Sequence, residues 1–209
     1  MTDAAAILHR ELTDISDEVR RVPAPPIPVL AEPYAIRVAD PDADAEMVSE
    51  WMNRPHLAET WESAWPPERW HRYLSAQVAG TFTRPLIVSR HGRDYGYIEL
   101  YRAAKDSIAK YYAADPHDLG MHGAVADAAV ANRGFAAILL PRVMTSVFDL
   151  EPQCRRMMFE PEYRNTAMRR LAEYVGGTFL GEHDMGYRTM ALYAVLRYPD
   201  DDPLSNSSS

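Results

Sequence analysis

The stretch Asp118 to Phe148, DLGMHGAVADAAVANRGFAAILLPRVMTSVF, constrains the fold more than any other part of the chain. Its first half alternates: Leu119, Met121, Gly123 and Val125 fall on one side of an extended segment, and Gly120, His122, Ala124 and Ala126 on the other. His122, a polar and titratable side chain, thus stands among residues with almost no side chain. Such neighbours let another chain approach closely. From Gly134 onward nearly every helical position is apolar: Phe135, Ile138, Leu139, Val143 and Val147, with Leu140, Met144 and Phe148 filling in. That pattern predicts a helix buried on all sides. Strand, then the turn Asn132-Arg133-Gly134-Phe135-Ala136, then helix would aim the first backbone N–H groups of the helix at one point, an arrangement suited to phosphate.

The flanking sequence predicts the rest of a mixed sheet. Residues 1–22 carry Ile7, Leu8, Leu12, Ile15 and Val19 at helical spacing, as one helix or two short ones. Residues 23–33, PAPPIPVLAEP, exclude helix and central strand, because proline lacks the donor and fixes its own backbone angle. Tyr34–Ala39 alternates as a first strand, and 44–53 predicts a short helix. The segment 53–65 predicts an aromatic-rich loop, and 66–80 a helix opened by proline and closed by glycine. Leu86–Ser89 and Tyr95–Tyr101 flank His91-Gly92-Arg93-Asp94 as a hairpin. Segment 107–113 is ambiguous. After the organising stretch come a strand at 155–160, a helix at 165–176 and strands at 178–182 and 190–197. Only the strands on either side of the long helix need a crossover, so they should be parallel neighbours. The expectation is an α/β fold of the α+β kind with a mixed sheet. Residues 1–33 form a helical and proline-rich arm, 34–198 the domain, and 199–209 a disordered tail with nothing apolar to bury.

Composition sets the outer limits. With 209 residues, 47% of them hydrophobic and 25% charged, one globular domain of ordinary size is expected. A net charge of -8 argues against nucleic acid as the main partner. No apolar run is long enough for a membrane span, and the start lacks a basic region followed by an apolar core. The single cysteine, Cys154, has no internal partner, which fits a cytoplasmic location. Against the acidic background, Arg133, Arg142, Arg155, Arg156, Arg164, Arg169 and Arg170 crowd one third of the sequence. They suit a small anionic ligand or an acidic carrier, or else a solvated surface.

Two residues stand out for chemistry. Arg156, Met158 and Glu160 share one face of their strand, and Glu160 ends it, just before Pro161. Ligands in open α/β sheets bind beyond the carboxyl ends of strands, so Glu160 and His122 on the neighbouring parallel strand should face one cleft. The bland alternatives are a core histidine bonded to backbone and a glutamate paired with Arg156 or Arg164. Asn53, Arg54, Pro55, His56 and Trp61 would line the second substrate's side, or form a turn with aromatics beneath. Met121, Met144, Met157 and Met158 suit a variable apolar chain, but core filling is the favoured reading.

The order of elements, the Ala131-to-Ala136 loop and the helix that opens Asn165-Thr166-Ala167 resemble the GCN5-related N-acetyltransferase superfamily. The loop is similar to its Gln/Arg-x-x-Gly-x-Gly/Ala pyrophosphate motif, departing at Ala131. The runs Asn53-Arg54-Pro55-His56 with Trp61, Leu119-Gly120-Met121-His122, Asn132-Arg133-Gly134-Phe135, Phe159-Glu160-Pro161 and Phe179-Leu180-Gly181-Glu182-His183 are similar to siderophore-biosynthesis acyltransferases. They look most like the lysine N-acyltransferases of mycobactin-type synthesis. The resemblance covers about Val22 to Leu196. It implies the fold of that superfamily, with a splayed central pair of parallel strands. It also implies transfer of a fatty acyl group from an acyl carrier protein or acyl-CoA to the side-chain amine of lysine or a lysine-derived siderophore precursor. No permanently bound cofactor is implied. The implied active-site histidine and acid carry over to His122 and Glu160. Since only a neutral amine attacks a thioester, a raised-pKa Glu160 would accept the proton, with His122 holding the substrate or water or sharing the base role. Arg133, Gly134, Phe135, Ala136 and Asn165 would bind the donor, and His122, Asn53, His56 and Trp61 the acceptor. An acetyl-CoA-dependent aminoglycoside or polyamine N-acetyltransferase, and a non-catalytic acyl-carrier-binding module, are the competing expectations.

Overall fold

The computed structural model describes residues 8–201, apart from Glu62 and Asn132. The start of the expected first helix and most of the expected disordered tail lie outside the described residues. The elements in order are α1 (Asp17–Arg21), β1 (Tyr34–Val38), α2 (Pro41–Met52), α3 (Pro55–Trp61) and α4 (Pro67–Ala79). Next come β2 (Thr83–Arg90), β3 (Arg93–Arg102), β4 (Leu119–Val125), α5 (Ala128–Ala131) and α6 (Phe135–Leu150). The last are β5 (Arg156–Phe159), α7 (Thr166–Tyr174), β6 (Gly177–Asp184) and β7 (Thr189–Leu196).

One seven-stranded sheet runs β1-β2-β3-β4-β5-β7-β6. Every pairing is antiparallel except β4 with β5. These two parallel strands pair only at Leu119 with Met157 and at Gly120 with Met158. Beyond Gly120, β4 runs on to Val125, whereas β5 ends at Phe159, just ahead of Pro161, which has no N–H to continue a ladder. A wedge therefore opens in the middle of the sheet.

Each face of the sheet has its own core. Leu119 and Met121 of β4 pack with Phe135, Leu139, Val143 and Val147 of α6. On the opposite face, Ala124 and Tyr97 pack with Val48 and Met52 of α2 and with Trp70 and Leu74 of α4. A third cluster gathers Leu8, Phe82, Tyr101, Ile108, Met158 and Leu192 beside the wedge. The four methionines singled out from the sequence are all buried and serve as core filling. Among the described residues no helix is long and apolar enough to cross a membrane.

Three sequence expectations are corrected. The N-terminal segment is helical only over Asp17–Arg21. Residues 8–16 instead form a turn and bends, with Glu11 bridged to Asp106 and Leu8 buried at 5% exposure. Burying Leu8 and pairing backbone with backbone outweighs the local helical pattern. Residues 55–61, expected as loop, form α3: the Arg54 carbonyl accepts from Leu57 and Ala58 (both 2.9 Å) and the turn buries Leu57. Helix α6 is not enclosed all round, since Ile138 and Leu150 are nearly half exposed.

The proline-rich segment lies along the domain because arginine and lysine side chains take its carbonyls. Lys105 donates to Val22 (2.6 Å), Arg102 to Pro23 (2.8 Å) and Arg84 to Pro25 (3.1 Å). Four of the crowded arginines are taken up in ion pairs. Arg155 pairs with Asp201, Arg164 with Glu162 and Arg169 with Glu182. Arg156 is buried against Asp118 at 2.9 Å, where the parallel strands begin to pair.

Burial pushes the pKa of Asp118 up to about 6 although Arg156 pulls it down. Folding thus favours its protonated form as pH falls through that value. Arg156→Met should cost about 3–5 kcal/mol at pH 7 by leaving a buried carboxylate without its cation. The loss should shrink towards pH 5, where Asp118 takes up a proton. Urea unfolding at the two pH values measures both effects; an equal loss at both would contradict the assignment.

Candidate active site

Period-two arithmetic builds the site. In the β3–β4 ladder, Tyr97 lies opposite Ala124, Glu99 opposite His122 and Tyr101 opposite Gly120. All six residues point to one face. Gly120 is also the register partner of Met158 on β5, so Glu160, two residues on, points to that same face at the wedge. The structure brings His122 and Glu160 into direct contact through Nε2 and Oε1.

Glu160 is only 3% exposed and is crowded with donors. Tyr101 Oη donates to Oε1 at 3.0 Å, Arg10 Nη2 donates to Oε1 at 2.7 Å, and Arg188 donates to Oε2. The other imidazole nitrogen, Nδ1, meets Glu99 Oε2 at 3.3 Å. Glu99 is itself held by Gln77 Nε2 and Tyr97 Oη, each at 3.0 Å. The imidazole ring is packed by Tyr101 at 4.9 Å and by the edge of Trp61 at 6.0 Å between centroids.

These contacts settle the charges. Burial alone would raise the pKa of Glu160, but Arg10, His122 and Arg188 outweigh it and hold the carboxyl well below its usual range. For His122, burial and Arg10 favour the neutral ring, yet Glu160 and Glu99 prevail and raise its pKa above the ordinary value. From sequence, a raised-pKa glutamate is the expected proton acceptor. The structure has the reverse: a firmly ionised glutamate and a histidine that binds its proton more tightly.

Other expected site residues fall in different surroundings. Trp61 stands against His122. Asn53 instead donates to the Ser49 and Trp65 carbonyls (2.9 and 3.0 Å), and His56 Nε2 meets the Val125 carbonyl at 3.0 Å. Both therefore tie α2 and α3 to their surroundings. The Asn165 side chain accepts from Met168 N at 3.1 Å and so caps α7. Arg133 and Gly134 are exposed at the start of α6. Gly134 caps that helix with φ of 78°, a left-handed conformation that favours glycine, and brings no side chain to cover the first-turn N–H groups. Arg133, Gly134, Phe135 and Ala136 thus sit at a helix N-terminus that follows, after the short α5, the end of β4 that has parted from β5.

Sequence reasoning missed Arg10, Glu99, Tyr101, Asp106 and Arg188. Glu99 carried a signal: it is a charged residue between Tyr97 and Tyr101 on the inward-facing positions of a buried strand. The small-residue face of β4 also had a different reason from the one expected. A Cβ on Gly120 would lie 2.2 Å from the Tyr101 ring, so this glycine makes room for the protein's own tyrosine.

A sheet wedged open between two parallel strands, with a helix N-terminus after one and a buried imidazole–carboxylate pair across them, defines an N-acyltransferase of the GCN5-related type. The chain belongs to this family: residues 40–185 match the acetyltransferase (GNAT) domain. It is 66% identical over 197 residues to lysine N-acyltransferase MbtK of Mycobacterium sp. (strain MCS), covering 94% of this chain and 81% of that one. It is 58% identical over 193 residues to lysine N-acyltransferase MbtK of Mycobacterium tuberculosis (strain CDC 1551 / Oshkosh), covering 92% and 91%. Its fold is like that of the aminoglycoside acetyltransferase AAC(6')-Ib in complex with coenzyme A, with a TM-score of 0.71 and 22% identity over 78% of this chain and 95% of that one.

Gly120→Ala should push the Tyr101 ring away from Glu160 and lower acyl transfer about tenfold or more, the order expected when a reacting group is misplaced. The fold should be kept, as circular dichroism would show. Full activity in the Gly120→Ala variant would mean that Tyr101 does not help to set the position of Glu160.

Proposed function

We propose that the protein transfers a fatty acyl group from a pantetheine thioester to the side-chain N6 amine of lysine, or of a lysine-derived precursor, in mycobactin-type siderophore synthesis. The donor is an acyl-CoA or an acyl carrier protein, and the reaction takes place in the cytoplasm. The observation that carries this reading is the His122–Glu160 pair at the mouth of the β4–β5 wedge, in a chain highly similar to two lysine N-acyltransferases. The donor's pantetheine would lie in the wedge along the edge of β4 beyond Gly120. Its phosphate would lie at Arg133 to Ala136, where helix N–H groups and a guanidinium favour an anion.

A lysine amine has an ordinary pKa of about 10.4, so near pH 7 only about one molecule in 2,500 is neutral, a penalty of roughly 4.6 kcal/mol. Only the neutral amine attacks a thioester carbonyl. His122 in its neutral form takes the proton from the nitrogen, directly or through water, and Glu160 stabilises the imidazolium that results. The amine's lone pair forms the C–N bond. The tetrahedral oxyanion, held by a backbone N–H of Met121 to Ala124, then expels the thiolate, which takes the second proton that the nitrogen gives up as the amide forms.

Mass spectrometry of lysine incubated with a panel of acyl donors tests the reading; absence of any acyl-lysine would sink it. His122→Ala and Glu160→Gln should each lower the rate about tenfold to a hundredfold or more. In wild type, kcat/KM should rise with pH along a limb lying above the ordinary histidine pKa of about 6.5. In Glu160→Gln that limb should move to lower pH, because the carboxylate that retains the imidazole proton is gone. A limb that stays in place would remove Glu160 from this role. Arg133→Glu should raise KM for the donor and leave KM for lysine near its original value; the opposite pattern would remove the loop from donor binding.

A further inference from the structure

Arg10 reaches into the site from a segment that precedes the sheet entirely. Its Nη1 lies 3.0 Å from His122 Nε2, and its Nη2 lies 2.7 Å from Glu160 Oε1 and 2.8 Å from Asp106 Oδ1. That is where an acceptor nitrogen would have to sit to hand a proton to His122. Nothing else fits while Arg10 is there. The cavity left beside Leu8, Arg10, Tyr101, Asp106 and His122 is about 20 Å³, room for a water or two and not for a lysine side chain.

The subsite accommodates a cation other than a guanidinium. Asp106 is 1% exposed, and its Oδ2 has no hydrogen-bond partner among the described residues. The buried Nε of Arg10 also has none. A guanidinium's fixed fork thus serves the two carboxylates incompletely, whereas an ammonium presents three rotatable donors. Apart from the ion pairs of Arg10 itself, which an incoming cation would take over, the segment is held by few contacts. Around Arg10 it is tied by Leu12 N to Lys105 O (2.8 Å), by Ser107 N to Arg10 O (3.0 Å) and by the buried Leu8. Local openings draw on weakly attached elements of this kind.

We propose that Arg10 occupies the acceptor-ammonium subsite as an internal substrate mimic, and that Asp106 together with Glu160 holds the acceptor's ammonium once the Arg10 segment lifts away. This rests on the acyltransferase reading of the same site. One cation replaces another, so Glu160 and Asp106 keep their charge balance, and His122 Nε2 then faces the substrate nitrogen in place of a guanidinium that gives up no proton. Asp106 is accordingly a specificity-determining residue for a primary-amine acceptor, and the Arg10 segment gates its entry.

Full-length wild type and Arg10→Ala, Arg10→Lys and Arg10→Ala/Asp106→Asn variants test this. An acceptor that must displace a closed segment binds more weakly by the fraction of open enzyme, so a segment closed in about 90–99% of molecules hides about tenfold to a hundredfold of affinity. KM for lysine should therefore fall about that much in Arg10→Ala, stay near wild type in Arg10→Lys, and rise again in the double variant. KM for the acyl donor should not follow. Without acyl donor, lysine, putrescine and cadaverine should each hasten tryptic cleavage of the wild-type Arg10–Glu11 bond, read by mass spectrometry. An unchanged or raised KM for lysine in Arg10→Ala, the latter meaning that Arg10 grips the acceptor, overturns the proposal. So does cleavage indifferent to all three amines. The proteolysis needs no turnover, so it is scored even if lysine is not acylated by wild type, a result that would sink the functional reading and not the gate.

Discussion

Glu160 is a carboxylate with no exposed side-chain surface, fixed where two parallel strands come apart. A buried anion must be met by donors or it will not stay ionised. Here the donors come from four places in the chain: Arg10 near its start, Tyr101 on β3, His122 on β4, and Arg188 in the turn before β7. One side chain thereby ties the N-terminal segment and the last hairpin to the centre of the sheet. It also fixes the charge of the histidine beside it. The wedge needs both effects, since strand pairing no longer holds β4 and β5 together beyond Gly120.

The second constraint is steric. Tyr101 reaches Glu160 only because its register partner, residue 120, has no side chain. Gly134 works differently, since a Cβ there would meet nothing and only its positive φ matters. One glycine serves packing beside Glu160 and the other backbone direction at the start of α6. Together they divide the site: ionised and enclosed towards the N-terminal segment, open and helix-terminated towards Arg133.

Much of this was legible in the sequence because period-two patterning is short-range. The alternation around His122, the crossover implied by the helix after it, and the position of Glu160 ahead of Pro161 together place two side chains on one face without any coordinates. What stayed hidden depends on contacts between distant segments. Nothing near Arg10 or Asp106 signals that one would lie against the other. The direction of the Glu160 pKa could not be read either, because a carboxylate at a strand end is raised by burial or lowered by cations according to neighbours that lie 28 to 150 residues away. Residues 55–61 were misjudged for a related reason: prolines and aromatics suggest a loop until Leu57 finds a core to enter.

In the proposed mechanism, proton transfer depends on an imidazole whose pKa Glu160 and Glu99 together raise above its ordinary value. Histidine-selective NMR titration of the resting protein, with the His122 resonance assigned by comparison with His122→Gln, measures this directly. The expected midpoint lies above the ordinary histidine value of about 6.5. A midpoint at or below that value, or a neutral ring throughout, would contradict it.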